Sequence, residues 1–357
     1  MTNSYITDLR LQQFRSYHDA SFQFEPGVNI IVGPNASGKT NILEAILVAL
    51  HGSSYRAKDA DLIAFDAEWA RLDADLSTGT RVVKLQSEPL GRVAKSFEID
   101  GQPLQRLMAT RMLPAVLFEP NHLLLLNSSP DLRRTFLDDL LEQTSPGFGG
   151  TRRHYRRVLA QRNALLKRNP RDIREQLFVW NVRLGELGGQ IVRERSKLVE
   201  RFMERANELY SRLAGTAQDV VLTYRTQFAA NQYETALLHK LESSLELDIA
   251  RGFTAYGPHR DDLEVHIGGH AVQEAASRGE TRTMVLALKI LELQLIEELR
   301  DTRPLLLLDD VFSELDARRR QALTSFLSEY QTFITTTDAD VVAAYFAGSN
   351  IISTLQT

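Results

Sequence analysis

The residues Gly33-Pro34-Asn35-Ala36-Ser37-Gly38-Lys39-Thr40 fit the phosphate-binding pattern G-x-x-x-x-G-K-[ST], which predicts a nucleoside triphosphate site. Glycines let such a loop curl until its N–H groups point at phosphate oxygens, and the positive end of the following helix helps hold the negative charge. Lys39 is expected to reach the β- and γ-phosphates, Thr40 to sit on Mg²⁺, and Asn41 to bind nucleotide with the loop residues before it. A second set lies far downstream, where Leu305 to Asp310 is four apolar residues and then two carboxylates, the form of a Walker B strand. Asp309 is expected to hold Mg²⁺ through its water shell, and Asp310 to orient the attacking water or accept its proton. Taken alone, that segment reads equally well as a strand that happens to end in two acids.

The elements flanking the loop have the required order of strand, glycine turn and helix: Val28 to Val32 is mostly apolar, and Asn41 to Leu50 reads as a helix. Short strands around one helix are expected from Tyr5 to Leu76, and a β-meander from Arg81 to Ile99, ending in the Asp100-Gly101 turn. After about Asn121 the texture changes. Asp131 to Leu141 and Arg152 to Leu213 are dominated by helix formers, with breaks near Thr144 to Gly150 and at Asn169-Pro170. Val220 to Tyr224 reads as a strand and Asn231 to Ile249 as one helix. Then α/β texture returns with a strand at Asp262 to Ile267, a helix at Arg278 to Glu297 and the buried run Leu305 to Leu308. The fold class expected is α/β, with an ATPase head made of residues 1–125 and 252–357 and a mainly helical insert, 126–251, between them. At about 1.5 Å per residue the insert's helices make only short arms, so long coiled-coil arms are excluded.

The chain has 357 residues, an ordinary apolar fraction and no cysteine, so neither disulfides nor a thiolate metal site is possible; this suits the cytoplasm. No segment approaches about 20 consecutive apolar residues and Met1 to Arg10 lacks a signal-peptide layout, so membrane insertion is not expected. A net charge of −4 argues against a uniformly basic nucleic-acid binder and moves the question to local patches. The densest is Arg152-Arg153-His154-Tyr155-Arg156-Arg157, followed by Arg162, Lys167, Arg168, Arg171 and Arg174. On a helix Arg152 and Arg156, like Arg153 and Arg157, are i,i+4 neighbours, a spacing suited to successive phosphates and otherwise unfavourable. DNA contact by Arg152, Arg153, Arg156 and Arg157 is the favoured reading, with a basic solvated face as the alternative. Few aromatics interleave, so backbone-directed, salt-sensitive binding is expected.

Directly after the Walker B acids, Val311-Phe312-Ser313-Glu314-Leu315-Asp316 resembles the D-loop of ABC-type ATPases, with Ser313 and Asp316 its polar members. Upstream, Ala276-Ser277-Arg278-Gly279-Glu280 resembles the signature of the same class, in which serine hydroxyl and glycine N–H bind the γ-phosphate held by the opposite subunit. As a bare motif the segment reads instead as a capping box, Ser277 at the N-cap and Glu280 at N3. Further motifs run the length of the chain: Phe14-Arg15-Ser16-Tyr17, Pro120 with Arg133-Arg134-Thr135-Phe136-Leu137-Asp138, Gln161-Arg162-Asn163, and Gly257-Pro258-His259-Arg260-Asp261-Asp262. In this order they resemble the RecF family of bacterial recombination mediators, relatives of the heads of SMC-type chromosome proteins.

The resemblance implies an ABC-type ATPase head that forms an ATP-dependent homodimer on Mg²⁺-ATP. Ser277, Arg278, Gly279 and Glu280 would complete the partner's site. It also implies weak DNA-dependent ATPase activity, binding to double-stranded or gapped DNA, recombinase loading at stalled or damaged replication sites, and a RecR-like protein partner. Asn121 and Asn127 depart from the acid and glycine usual in the family. Asp310 and Thr337 stand where the wider ABC class has glutamate and histidine, and both are typical of RecF proteins. A carboxylate one methylene shorter predicts slow hydrolysis. Arg56, after the Walker A helix, resembles an arginine that touches nucleotide or DNA in related heads, with a solvated side chain as the alternative. Arg15 reads either as a nucleotide contact or as a salt bridge within the sheet, and His259 with Arg260 either as catalytic or as a structural turn with an ion-paired arginine. Two other functions remain open. A transporter ATPase subunit would carry the histidine absent at Thr337, and an SMC-type structural clasp would need long arms.

Overall fold

The computed structural model describes residues 4–346 and 348–354. The N-terminal elements are β1 (Ile6–Phe14), β2 (Tyr17–Gln23), β3 (Val28–Val32), α1 (Lys39–His51), β4 (Trp69–Leu76), β5 (Gly79–Glu88), β6 (Arg92–Ile99), β7 (Gln102–Leu104) and β8 (Ala115–Phe118). There follow α2 (Pro130–Thr144), α3 (Phe148–Arg168), α4 (Ile173–Ala214), β9 (Val220–Arg225), α5 (Tyr233–Ser243), α6 (Leu245–Arg251), β10 (Asp262–Ile267), β11 (His270–Ala271) and α7 (Val272–Ala275). The chain closes with α8 (Arg278–Arg300), β12 (Leu305–Asp309), α9 (Ala317–Leu327), β13 (Thr332–Thr336) and β14 (Asn350–Ser353). Packing divides it into two compact units: Met1–His122 with Glu292–Thr357, and Leu123–Leu291.

In the first unit, a five-stranded sheet in the order β14-β3-β13-β12-β8 is parallel throughout. Its strand β12 is buried along its whole length, and a strand covered on both faces carries a continuous apolar run, here Leu305–Leu308. A six-stranded antiparallel sheet, β2-β1-β4-β5-β6-β7, forms the second layer. Between them lies α1, whose residues from Ile42 to Leu50 are all buried, as expected of a helix apolar on all sides. Ile42 and Ile46 share one core with Leu9, Leu72, Leu305, Leu307 and Phe333, drawn from both sheets. Because β3, β12 and β13 run parallel, the loops that leave them open at the same edge, where an α/β sheet places its ligands.

The second unit packs α3 against α4, a helix of 42 residues and hence about 60 Å long, beside a three-stranded antiparallel sheet, β11-β10-β9. The sequence texture places the return to the head at residue 252; by packing, residues up to Leu291 group with the second unit, and β10 within that stretch pairs with β9 along its whole length, from Asp262↔Arg225 to Ile267↔Val220. One expectation changes here. The single helix expected over Asn231 to Ile249 is two, interrupted at Ser244. There the hydroxyls of Ser243 and Ser244 both donate to Lys240 O, competing with the helix for that carbonyl. Among the described residues no helix is long and apolar enough to cross a membrane.

Candidate nucleotide-binding site

The loop after β3 owes its shape to small residues. A Cβ on Gly33 would lie 2.0 Å from Thr354 Oγ1 and 2.5 Å from Ser37 Oγ, so any side chain there would displace both hydroxyls. Gly38 has φ 94°, in the left-handed region, and a Cβ on it would lie 2.7 Å from the Tyr17 hydroxyl oxygen. No side chain caps α1 at Gly38, and while Asn41 N donates to Gly38 O at 2.8 Å, the amides of Lys39 and Thr40 are placed for an outside acceptor such as phosphate. Lys39, 8% exposed, folds back over the loop and donates to Gly33 O at 2.7 Å and Pro34 O at 2.8 Å. Burial lowers its pKa, while the charges of Asp310 and Asp309 oppose that shift.

The structure brings the predicted metal ligands together: Thr40 Oγ1 donates to Asp309 Oδ1 at 3.0 Å, joining residues far apart in the chain. Asp309 is buried at the end of β12 and stands opposite Thr335 of β13. Its neighbour Asp310 adopts φ 52°, an unusual value for a residue with a side chain. Ser313, from the D-loop-like segment, donates to Asp310 O at 2.7 Å and lies 3.1 Å from its Oδ1. Asp316 caps α9, accepting from Arg319 N at 2.9 Å.

Arg15 and Arg56 meet at a residue that the motifs do not mark. Glu44, in the middle of α1 and fully buried, accepts the fork of Arg15 at 2.8 and 2.9 Å, the hydroxyl of Ser54, and Arg56 Nη2 at 3.2 Å. Burial pushes the Glu44 carboxyl up, but Arg15, Ser54 and Arg56 together outweigh it and hold it below the usual glutamate value. Arg56 also donates to Asn41 Oδ1 at 2.8 Å, and Asn41 Nδ2 to Ser16 Oγ at 3.0 Å. The salt bridge expected for Arg15 within the sheet therefore runs to α1 instead, and Arg56 is paired rather than simply solvated. The signal in the sequence is an acid inside the apolar run Ile42-Leu43-Glu44-Ala45-Ile46, a burial that only a cation can compensate.

The signature-like segment belongs to the second unit, and its capping box is formed. Glu280 N donates to Ser277 Oγ at 3.2 Å, while Ser277 N and Oγ each donate to Glu280 Oε2 at 2.8 Å. These bonds hold the Glu280 carboxyl below its ordinary range. Ser277 and Arg278 are exposed.

The other family-like motifs of this unit make a buried polar network. Arg133 forks Asp262 at 2.7 and 2.8 Å, Arg195 forks Asp138 at 2.8 and 3.0 Å, and Arg162, fully buried, donates to Asp248, Asn181 and Thr254. His259 sits inside it: the Tyr155 hydroxyl is 2.7 Å from Nδ1, and Nε2 is 3.1 Å from Thr254 O. Burial pushes His259 down to about 4, which leaves a neutral ring that donates to Thr254 and accepts from Tyr155. Of the two readings, the structural turn is the one observed. Arg260 lies over the ring of Phe253.

One predicted DNA contact is overturned. Arg152 is buried among Asp138, Asp139 and Glu142, at 2.9 to 3.0 Å, because its position on α3 faces the acids of α2. Arg153, Arg156 and Arg157 are exposed on α3.

The profile of the RecF/RecN/SMC N-terminal domain family matches residues 5–354. A DNA replication and repair protein RecF from Synechococcus sp. (strain JA-3-3Ab) is 36% identical, over 99% of this chain and 96% of its own. The protein of the same name from Acetivibrio thermocellus is 33% identical over 97% of each. Among solved structures, the recombination mediator protein RecF with ATPγS superposes with a TM-score of 0.86 at 28% identity, covering 95% of this chain and 94% of that one. An Smc head bound to the C-terminal winged-helix domain of ScpA shares the fold alone, with a TM-score of 0.52 at 18% identity.

Proposed function

From the premise that this chain belongs to the RecF family, within the wider group that carries the RecF/RecN/SMC N-terminal domain, we propose that it is an ATP-dependent DNA recombination mediator. One observation carries the nucleotide part of this reading: the 3.0 Å contact between Thr40 and Asp309, beside a loop that Lys39 closes. A neutral hydroxyl and a carboxylate oxygen are hard donors that suit Mg²⁺, so Thr40 would hold the ion directly and Asp309 through its water shell. When bound, Mg²⁺ supplies charge neutralisation across the β- and γ-phosphates. Lys39 turns from the carbonyls of Gly33 and Pro34 to the phosphates, α1 offers its N-terminal amides, and Asp310 orients the attacking water. The shorter reach of an aspartate makes hydrolysis slow.

Two protomers close on ATP, with Ser277 and Gly279 of one reaching the γ-phosphate held by its partner. Ser277 then exchanges its capping-box partner Glu280 for phosphate, and the exposure of Ser277 and Arg278 supports that use. Duplex or gapped DNA lies against exposed arginines including Arg153, Arg156 and Arg157, and stimulates a weak ATPase that resets the clamp. Recombinase loading in the cytoplasm, with a RecR-like protein as partner, follows from kinship with RecF proteins. Sedimentation and DNA binding, each measured without nucleotide, with ATP and with ADP, test the reading. We expect an ATP-dependent shift from monomer to dimer and salt-sensitive duplex binding, both abolished by Lys39→Met and by Ser277→Arg. A monomer that ignores both ATP and DNA would overturn it.

A further inference from the structure

Asp310 holds a backbone conformation, φ 52°, that is costly for a residue with a Cβ and persists only where its surroundings enforce it. Its peptide groups are gripped from two sides. The Asp310 N–H donates to Thr335 Oγ1 at 2.9 Å, and its carbonyl accepts from Ser313 at 2.7 Å. The Thr335 hydroxyl has one proton, which is directed to Asp309 Oδ1 at 2.8 Å rather than to Leu308 O at 3.5 Å. A single hydroxyl, on a threonine with no exposed surface, therefore links the backbone of one Walker B acid to the carboxylate of the other. We infer that Thr335 is a positioning residue for the hydrolytic site: it fixes the metal-side carboxylate of Asp309 and the water-side conformation of Asp310 together, so that the two acids act as one unit.

Chemistry distinguishes this role from packing. Asp309 Oδ1 accepts from both Thr40 and Thr335. Once the Thr40 hydroxyl is turned to the cation, Thr335 is what still orients that carboxylate. Supporting hydrogen bonds to a metal-side carboxylate are typically worth about 10- to 100-fold in metal affinity or activity. The adjacent Thr336 has no such geometry, its hydroxyl accepting from Asp338 N at 3.1 Å.

The inference rests on the ATPase reading, and the test separates the two. Thr335→Val keeps the shape and deletes the hydroxyl, whereas Thr335→Ser keeps the hydroxyl. Four quantities are measured on the full chain: kcat and KM for ATP, binding of a fluorescent ATP analogue without metal, Mn²⁺ affinity with a non-hydrolysable analogue, and amide exchange of the segment containing Asp310 in the nucleotide-free protein. For Thr335→Val we expect kcat and Mn²⁺ affinity to fall by about 10-fold or more. Metal-free nucleotide binding should change by less than about 3-fold, and Asp310 exchange should quicken, because its N–H has lost a buried acceptor. Thr335→Ser should restore all four. Should the valine variant not fold, Thr335→Ala is read in the same way. Turnover and Mn²⁺ affinity within 2-fold of the unaltered chain would overturn the inference alone. No ATP binding by the unaltered chain would overturn the ATPase reading and the inference with it.

Discussion

Replacing Glu44 by glutamine tests whether one buried carboxylate holds both arginines beside the phosphate loop. Both of its oxygens are engaged, Oε1 by Arg15 and Ser54 and Oε2 by Arg15 and Arg56. An amide has one acceptor and one donor end, so one arm of the Arg15 fork must face an N–H group. Removing one partner of a fully sealed ion pair costs about 3–5 kcal/mol. Here the Arg15 side chain is 22% exposed and that of Arg56 is 38% exposed, so Arg56 falls back on water and contributes little. We therefore expect Glu44→Gln to destabilise the first unit by about 2–3 kcal/mol, which for a domain of roughly 150–250 residues lowers Tm by about 4–12 °C. The pH dependence has a definite sign. The folded-state pKa of Glu44 lies below its ordinary value, so its stabilisation is complete above the unfolded value of about 4.3. It is lost as pH falls through the depressed folded value. Thermal unfolding followed from pH 7 to 3.5 should show a gap between the two proteins that is constant near neutrality and begins to narrow once pH falls below the unfolded value. A Tm within 1 °C of the unaltered chain at pH 7, or a gap that ignores pH, would refute the argument.

Three further outcomes follow from the second unit. Triple replacement of Arg153, Arg156 and Arg157 by alanine should weaken duplex binding, and should flatten the dependence of log K on log salt by about 0.9 for each phosphate left without its arginine, with folding nearly unchanged. Arg152→Ala should do the reverse, costing about 3 kcal/mol of stability because three acids lose their shared cation, and leaving the salt slope of the folded protein as it was; the two behaviours exchanged would show the assignment to be wrong. His259, held neutral down to about 4 against an unfolded value of about 6.5, contributes stability that is complete above pH 6.5 and declines as pH falls toward 4, by an amount on the order of 3 kcal/mol. His259→Gln should remove that decline from a denaturant titration across the same range, and an unchanged acid limb would refute it.

The sequence alone determined the parts whose physics is local or periodic. The loop from Gly33 to Thr40 is legible because a curled backbone around phosphate demands glycine and lysine at set positions. The β12 run is legible because a strand covered on both faces must be apolar along its length. Helices α3 and α4, with their break at Asn169-Pro170, follow from composition and proline chemistry. Tertiary structure decided what depends on partners distant in the chain. Arg152 and Arg153 are adjacent and alike in sequence, yet one is sealed by the acids of α2 and the other faces solvent. Charge spacing on one helix says nothing of what packs against it. Thr335 is one of several threonines in β13, and only the parallel register that sets it opposite Asp309 makes its hydroxyl a bridge between the two acids. The chemistry of this chain is thus written in its motifs, whereas the alignment of those motifs is set by long-range pairings whose energy appears only when the sheet closes.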